Sequence, residues 1–423
     1  VDTLMVGHLS AAALAAVALG NLYFFAVAIF GMGVLMSLGP VIAQAVGARD
    51  DPAIARGVQR GMLLAALLSI PAMILLWPGE GVFTWLHQPV DVVPLAASYA
   101  RLIIPGVLPF LAFAVLRQTL QAMGRMRAIV ITIVAANLLN IFLNWILIFG
   151  HLGAPALGVD GSAIATTCSR WAMALLLMGL SWPALRRHVL PIRPDVFRLV
   201  PLGRMLRLGA PIGAQFELEY SAFGLTGVLM GQLGTSQMAG HQVALNLASL
   251  TYMVPLGVSA AASVLVGQAV GRDDAFGARR FARAALVVGA AFMLITGTMF
   301  LSVPRLLASL YTNAGDVIVV AAALLPLAGL FQVFDGIQVV ASGVLRGLGD
   351  TRSPMIINLI GFWIIGIPVG LLLGFRAGMG AQGLWWGLVL GLAAVAVILL
   401  GRVRHRMQAR LGRVVIDDHR HPT

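Results

Sequence analysis

The chain has 423 residues, of which 60% are hydrophobic and only 10% charged, with a mean hydropathy of +0.94. Soluble proteins carry about 25% charged residues, so this chain lacks the polar surface that water requires. A soluble enzyme, a disordered chain and a disulfide scaffold are excluded, the last because Cys168 is the one cysteine. The expectation is an all-α integral membrane protein, in which neighbouring helices accommodate the 48 glycines and 20 prolines.

A hydrocarbon core of roughly 30 Å needs about 20 apolar residues of helix. After a stub from Val1 to Leu9, such runs occur at Leu14 to Ala45, Met62 to Trp77, Val92 to Leu116, Ile129 to Phe149 and Ser162 to Trp182. Beyond a polar connection come Leu208 to Leu233, Met238 to Val266, Ala284 to Val303, Val317 to Leu345, Met355 to Phe375 and Gln382 to Leu400, eleven spans in all. Twenty-four of the 28 basic residues, all arginine, fall in alternate connections and the C-terminal tail. The positive-inside rule makes that side cytoplasmic, the C-terminus included. The net charge of +12 is thereby explained by topology and anionic lipid, and a nucleic-acid partner is not expected.

The chain repeats itself. Gln44-Ala45-Val46-Gly47, followed by Arg49-Asp50-Asp51, recurs about 224 positions later as Gln268-Ala269-Val270-Gly271 followed by Arg272-Asp273-Asp274. Gly124 with Arg127 recurs as Gly349 with Arg352, and Gly158 with Gly161 as Gly380 with Gly383. Both Arg-Asp-Asp copies lie on one side, so the halves share an orientation and each holds an even number of spans. Six spans in the second half predict twelve helices as two parallel six-helix repeats, the plan of many secondary transporters. The first helix is expected to begin upstream of Val1. The expected organisation is an N-terminal lobe at 1–183, a cytoplasmic linker at 184–207, a C-terminal lobe at 208–402 and a basic tail at 403–423.

Ionisable residues inside spans are costly and point to function. They are Asp2, Glu217, Glu219, Asp335, Arg101 and Arg170, and two arginines cannot neutralise four acids. Glu217 and Glu219 are two positions apart and face different sides of one helix. Asp335 is flanked by Gln332 and Gln338 at one-turn spacing, and Asp2 has no acidic counterpart in the second half, where Thr226 stands. Asn137, Asn140 and Asn144 form one polar stripe. His241 and Gln242 read as packing residues. The doublets Asp50-Asp51 and Asp273-Asp274 have no third acid at a metal-binding spacing, and Asp51-Pro52 reads as a helix cap opening a short interfacial helix. Enzyme signatures such as His-Glu-x-x-His are missing, so no enzyme is expected.

The segments Val1-Asp2-Thr3-Leu4-Met5-Val6-Gly7, Gln44-Ala45-Val46-Gly47, Leu139-Asn140-Ile141-Phe142-Leu143-Asn144-Trp145 and His241-Gln242-Val243-Ala244-Leu245-Asn246 together resemble the multidrug and toxic compound extrusion (MATE) family. Gln338-Val339-Val340-Ala341 leading to Leu345-Arg346-Gly347 adds to the likeness, which is strongest to the bacterial NorM-like branch. The resemblance implies a two-lobed, V-shaped multidrug antiporter of the bacterial inner membrane, acting as a monomer. It would export cationic and amphipathic compounds in exchange for inward H+ or Na+, with no cofactor beyond the coupling ion. It further implies cation or proton coupling at Asp2, Glu219 and Asp335, with Na+ able to sit at the last two. Asn140, Asn144, Phe331 and Gln338 are implied as cavity-lining or substrate-binding residues. Tyrosine is frequent in the family where Phe331 stands; an apolar ring cannot ligate sodium, which favours the proton. The competing expectation is a flippase for lipid-linked saccharides from the wider superfamily.

Overall fold

A computed structural model describes residues 2–417. The secondary structure of the described residues is all helical, without a strand: α1 (Asp2–Val6), α2 (Ala11–Leu35), α3 (Leu38–Gly47), α4 (Asp51–Leu76), α5 (Gly79–Trp85), α6 (Val93–Ile103), α7 (Val107–Ala122), α8 (Met126–Phe149) and α9 (Gly158–Val189). There follow α10 (Leu199–Leu233), α11 (Thr235–Gly271), α12 (Ala275–Ser302), α13 (Pro304–Ser309), α14 (Gly315–Gly347), α15 (Arg352–Asn358), α16 (Ile367–Leu371) and α17 (Gly380–Gln408). Ten helical segments among the described residues are long and apolar enough to cross a membrane. Helix α10, at 35 residues, has the length as well, but Gln215, Glu217 and Glu219 dilute its apolarity.

The sequence repeat is also a backbone repeat. Asp50 caps α4 by accepting the Ala53 N–H at 3.0 Å, and Asp274 caps α12 by accepting the Gly277 N–H at 2.7 Å. Arg49 and Asp273, the equivalent residues ahead of these caps, both take positive φ, 55° and 57°. Gly124 and Gly349 pair likewise at 73° and 78°. The cap of α4 is therefore Asp50, one residue earlier than expected, with Asp51 and Pro52 in the first turn. The helix it opens is no short interfacial piece but runs unbroken through the span to Leu76.

Other boundaries differ for identifiable reasons. The expected span from Leu14 to Ala45 is two helices, because Pro40 has no N–H to offer the preceding turn and the Ser37 hydroxyl donates to the Val34 carbonyl at 2.7 Å. Helices α9 and α10 extend into the expected linker, leaving only residues 190–198 between them. Gln59 fixes that connection: its Nε2 donates to the carbonyls of His188, Val189 and Pro191, and its Oε1 accepts the Arg193 N–H at 3.0 Å.

The chain divides into two compact units, Val1–Ile42 with Asp50–Gly213, and Ala43–Arg49 with Ala214–Thr423. In the first, α2 and α10 touch backbone to backbone: a Cβ on Gly33 would lie 2.5 Å from Gly213 Cα. Phe24, Phe83 and Tyr99 fill its interior. In the second, α11, α12, α14 and α17 enclose a core that includes Trp385, Phe331 and Phe362. There the two Gln-Ala-Val-Gly copies pack on each other reciprocally, since a Cβ on Gly47 would meet the Gln268 carbonyl and one on Gly271 the Gln44 carbonyl. The Gln44 side chain also donates to Gly347 O at 2.9 Å and accepts the Val414 N–H at 2.7 Å, tying the segment after α17 to this crossing. Along α17, Gly387 rests against the backbone of Gly366 and Gly370, the small-residue contact that drives helix association in lipid. The chain is wound as π-helix at Leu359–Gly366, directly after Asn358.

Candidate functional site

Each unit holds its own buried polar cluster. In the first unit, Asp2 on α1 accepts from Asn144 Nδ2 at 2.6 Å and from Thr166 Oγ1 at 2.8 Å. Asn144, fully buried, also donates to Asn140 Oδ1 at 3.1 Å. One turn of α8 spacing thus turns two members of the asparagine stripe into an adaptor for a carboxylate on another helix. Asn137 does not join; it donates to the Ile133 carbonyl of its own helix. Arg170 lies 3.7 Å above the Phe24 ring and within Coulombic reach of Asp2 and Tyr99. Tyr99 in turn donates to Asn21 Oδ1 at 3.1 Å. Formal charges in this cluster, Asp2 against Arg170, balance.

The second unit is built differently. Glu219 on α10 accepts from Gln338 Nε2 at 2.7 Å, and the same amide donates to Asn358 Oδ1 at 3.3 Å. Glu219 and Asp335 are close enough to repel each other, and Tyr252 of α11 feels both. The Asp335 carboxylate accepts no hydrogen bond from any described residue. Arg346 is 4% exposed, donates to Ser259 Oγ at 2.9 Å and acts on Glu219 and Tyr252. Two carboxylates against one guanidinium leave this cluster one formal positive charge short. Glu217 stays outside it, as its helical position predicts.

Phe331 is placed one turn before Asp335 on α14, 3% exposed, with its ring edge-to-face against Phe223 and Trp385 at 6.0 and 5.9 Å. His241 packs its ring on the same Trp385 at 5.8 Å, and neither of its ring nitrogens has a hydrogen-bond partner among the described residues. Gln332 accepts from both Thr251 and Thr296, at 3.0 and 2.8 Å, a polar knot at which the one-turn spacing only hints. No group of three or more His, Cys, Asp or Glu residues suited to a metal ion occurs among the described residues.

Three contributors escape sequence reasoning. Arg346 reads as a loop residue because arginines usually are, yet α14 continues through it to Gly347. Asn358 and Tyr252 carry no charge and repeat no motif; only packing reveals them. Conversely, Arg101 is not a buried membrane cation: it pairs with Glu80 at 2.6 Å, with both side chains about half exposed.

A many-helix chain made of two like-oriented repeats, each with an ionisable cluster among its spans, is the architecture of a secondary transporter rather than an enzyme. The MatE family model matches it twice over, at residues 1–146 and 211–372, and the chain belongs to that family of multi-pass membrane transporters. It is 38% identical over 414 residues to the probable multidrug resistance protein NorM of Mesorhizobium japonicum, covering 95% of this chain and 88% of that one. Identity and coverage are the same for the multidrug resistance protein NorM of Burkholderia vietnamiensis. Among solved structures, a eukaryotic MATE transporter superposes with a TM-score of 0.85 at 24% identity, over 96% of this chain and 93% of the other. An outward-facing multidrug resistance MATE family transporter gives 0.87 at 20% identity, over 96% and 90%. These likenesses establish the all-helical fold, and the twelve-helix, two-repeat plan fits it.

Proposed function

We propose that the protein is a multidrug efflux antiporter of the bacterial inner membrane, exporting cationic and amphipathic compounds in exchange for inward H+ or Na+. The observation that carries this reading is the charge imbalance around Glu219, Asp335 and Arg346. A half-buried, uncompensated carboxylate inside a membrane span is costly, so the cluster needs one further positive charge: a proton, a sodium ion or the substrate itself. Occupants that compete for one negative site exchange rather than accumulate, and that exchange gives the differential binding by which a ligand shifts a conformational equilibrium. Sodium would find oxygens on Glu219 and Asp335, with the Gln338 carbonyl oxygen, which has no donor among the described residues, as a third. A proton needs only one carboxylate. The balanced cluster around Asp2 supports a different role, holding α1 against α8 and α9 when the aspartate is ionised and releasing it when it is protonated. The C-terminal tail is assigned to the cytoplasm by its arginines.

The test is accumulation of a fluorescent amphipathic cation in energised cells. Expression of the wild-type chain lowers accumulation, collapse of the ion gradients restores it, and equal accumulation with and without the protein would refute the proposal.

A further inference from the structure

A second feature lies away from both clusters. At the arginine-rich ends of α12 and α17 the helices border a groove of about 580 Å³. Arg279, Arg283 and Leu286, at i, i+4 and i+7, line its α12 wall; Leu400, Val403 and Arg404, at i, i+3 and i+4, line its α17 wall. On both helices the arginines sit toward the helix end and the leucines toward the middle, so the groove is cationic at its mouth and apolar below.

Its charge is uncompensated. No acidic residue lines it, and neither Arg283 nor Arg404 has an ion pair among the described residues. Arg279 commits its Nε to the Met407 carbonyl at 2.9 Å, which leaves its terminal nitrogens for another acceptor. The nearby acid is engaged elsewhere: Asp350 takes Arg402 at 2.7 Å and Arg406 at 3.6 Å. Arg404 alternates with those two along α17 and so faces away from Asp350.

We propose that this groove binds an anionic phospholipid, with the phosphate held by Arg279, Arg283 and Arg404 and the first acyl carbons against Leu286, Leu400 and Val403. Cationic side chains pair with phosphate oxygens, and basic pockets between helices at the membrane surface hold acidic headgroups. A free phosphate or nucleotide would satisfy the arginines but leave the apolar walls uncovered. A zwitterionic lipid would cover the walls but bring its own cation to the arginines. Only an anionic lipid matches both halves, and in doing so it bridges α12 to α17.

The experiment is native mass spectrometry of the delipidated full chain titrated with phosphatidylglycerol, diphosphatidylglycerol or phosphatidylcholine. The wild type retains the two anionic lipids in preference to phosphatidylcholine. Arg283→Gln/Arg404→Gln weakens their binding about thirtyfold, Arg283→Lys/Arg404→Lys keeps most of it, and Arg305→Gln on α13, beyond the opposite end of α12, leaves it unchanged. Equal retention of phosphatidylcholine, wild-type binding by the double Gln variant, or the same loss in the double Lys variant would overturn the proposal. Displacement of the lipid by millimolar inorganic phosphate would assign the groove to free phosphate and overturn it as well.

Discussion

Glu219→Gln removes one of the two carboxylates in the second unit while keeping the length, shape and an acceptor oxygen for Gln338 Nε2, 2.7 Å away. With Glu219 ionised, the cluster of Glu219, Asp335 and Arg346 sums to one negative charge; with the substitution it sums to zero. A cation about 4 Å from a carboxylate gains about 4 kcal/mol at the effective dielectric of a protein site. Losing that interaction should weaken cation binding roughly a thousandfold. The structural cost is smaller, because a hydrogen bond to a charged acceptor becomes one to a neutral acceptor, a loss of about 1 kcal/mol. The variant should therefore remain monodisperse and near wild type in melting temperature, yet neither bind the coupling ion measurably by calorimetry nor move drug under a gradient. Unchanged cation affinity together with unchanged gradient-driven transport would show that Glu219 is not part of the site.

Asp2→Asn cannot accept from Asn144 and Thr166 with both side-chain atoms, so transport should fall several-fold with the protein still folded; wild-type transport would remove Asp2 from the mechanism. Phe331→Tyr introduces a hydroxyl one turn from Asp335 and should raise the sodium dependence of transport, read as the ratio of rates with and without sodium; an unchanged ratio contradicts the ligand argument. Gly387→Leu forces a side chain into a contact where even a Cβ would collide with the Gly366 carbonyl. It should cost about 3 kcal/mol or more and lower the melting temperature in detergent, whereas a wild-type melt would mean the two backbones separate freely.

The spans and the repeat are legible because both are written in residue type: apolar runs, arginine-rich connections and a motif that returns with its cap. The match extends to Arg49 and Asp273, chemically unlike yet sharing a left-handed backbone, since the turn they make is set by the Asp50 and Asp274 caps that follow. Asp2, Glu219 and Asp335 are legible because charge inside an apolar run has few innocent explanations. Arg346 is not, because a residue near a helix end reads as loop until neighbouring helices show that it is covered; Arg101 fails in the opposite direction, its arginine stem fitting an apolar run whose end is exposed. The break of the first span at Ser37 and the length of α9 and α10 depend on hydrogen bonds made by Ser37 and Gln59, side chains whose partners no spacing announces. Asn358 is found only through the hydrogen bond that its Oδ1 accepts from Gln338 at 3.3 Å.

Purified protein in proteoliposomes, with proton and sodium gradients imposed separately, measures the coupling directly. An imposed proton gradient, with sodium replaced by an inert cation, should drive an amphipathic cation against its own gradient, and Asp335→Asn should abolish that movement. If transport instead stops without sodium and a sodium gradient alone restores it, the cluster is a sodium site despite Phe331. If neither gradient moves the cation while the protein is folded and inserted, the account of an ion-driven exporter is contradicted.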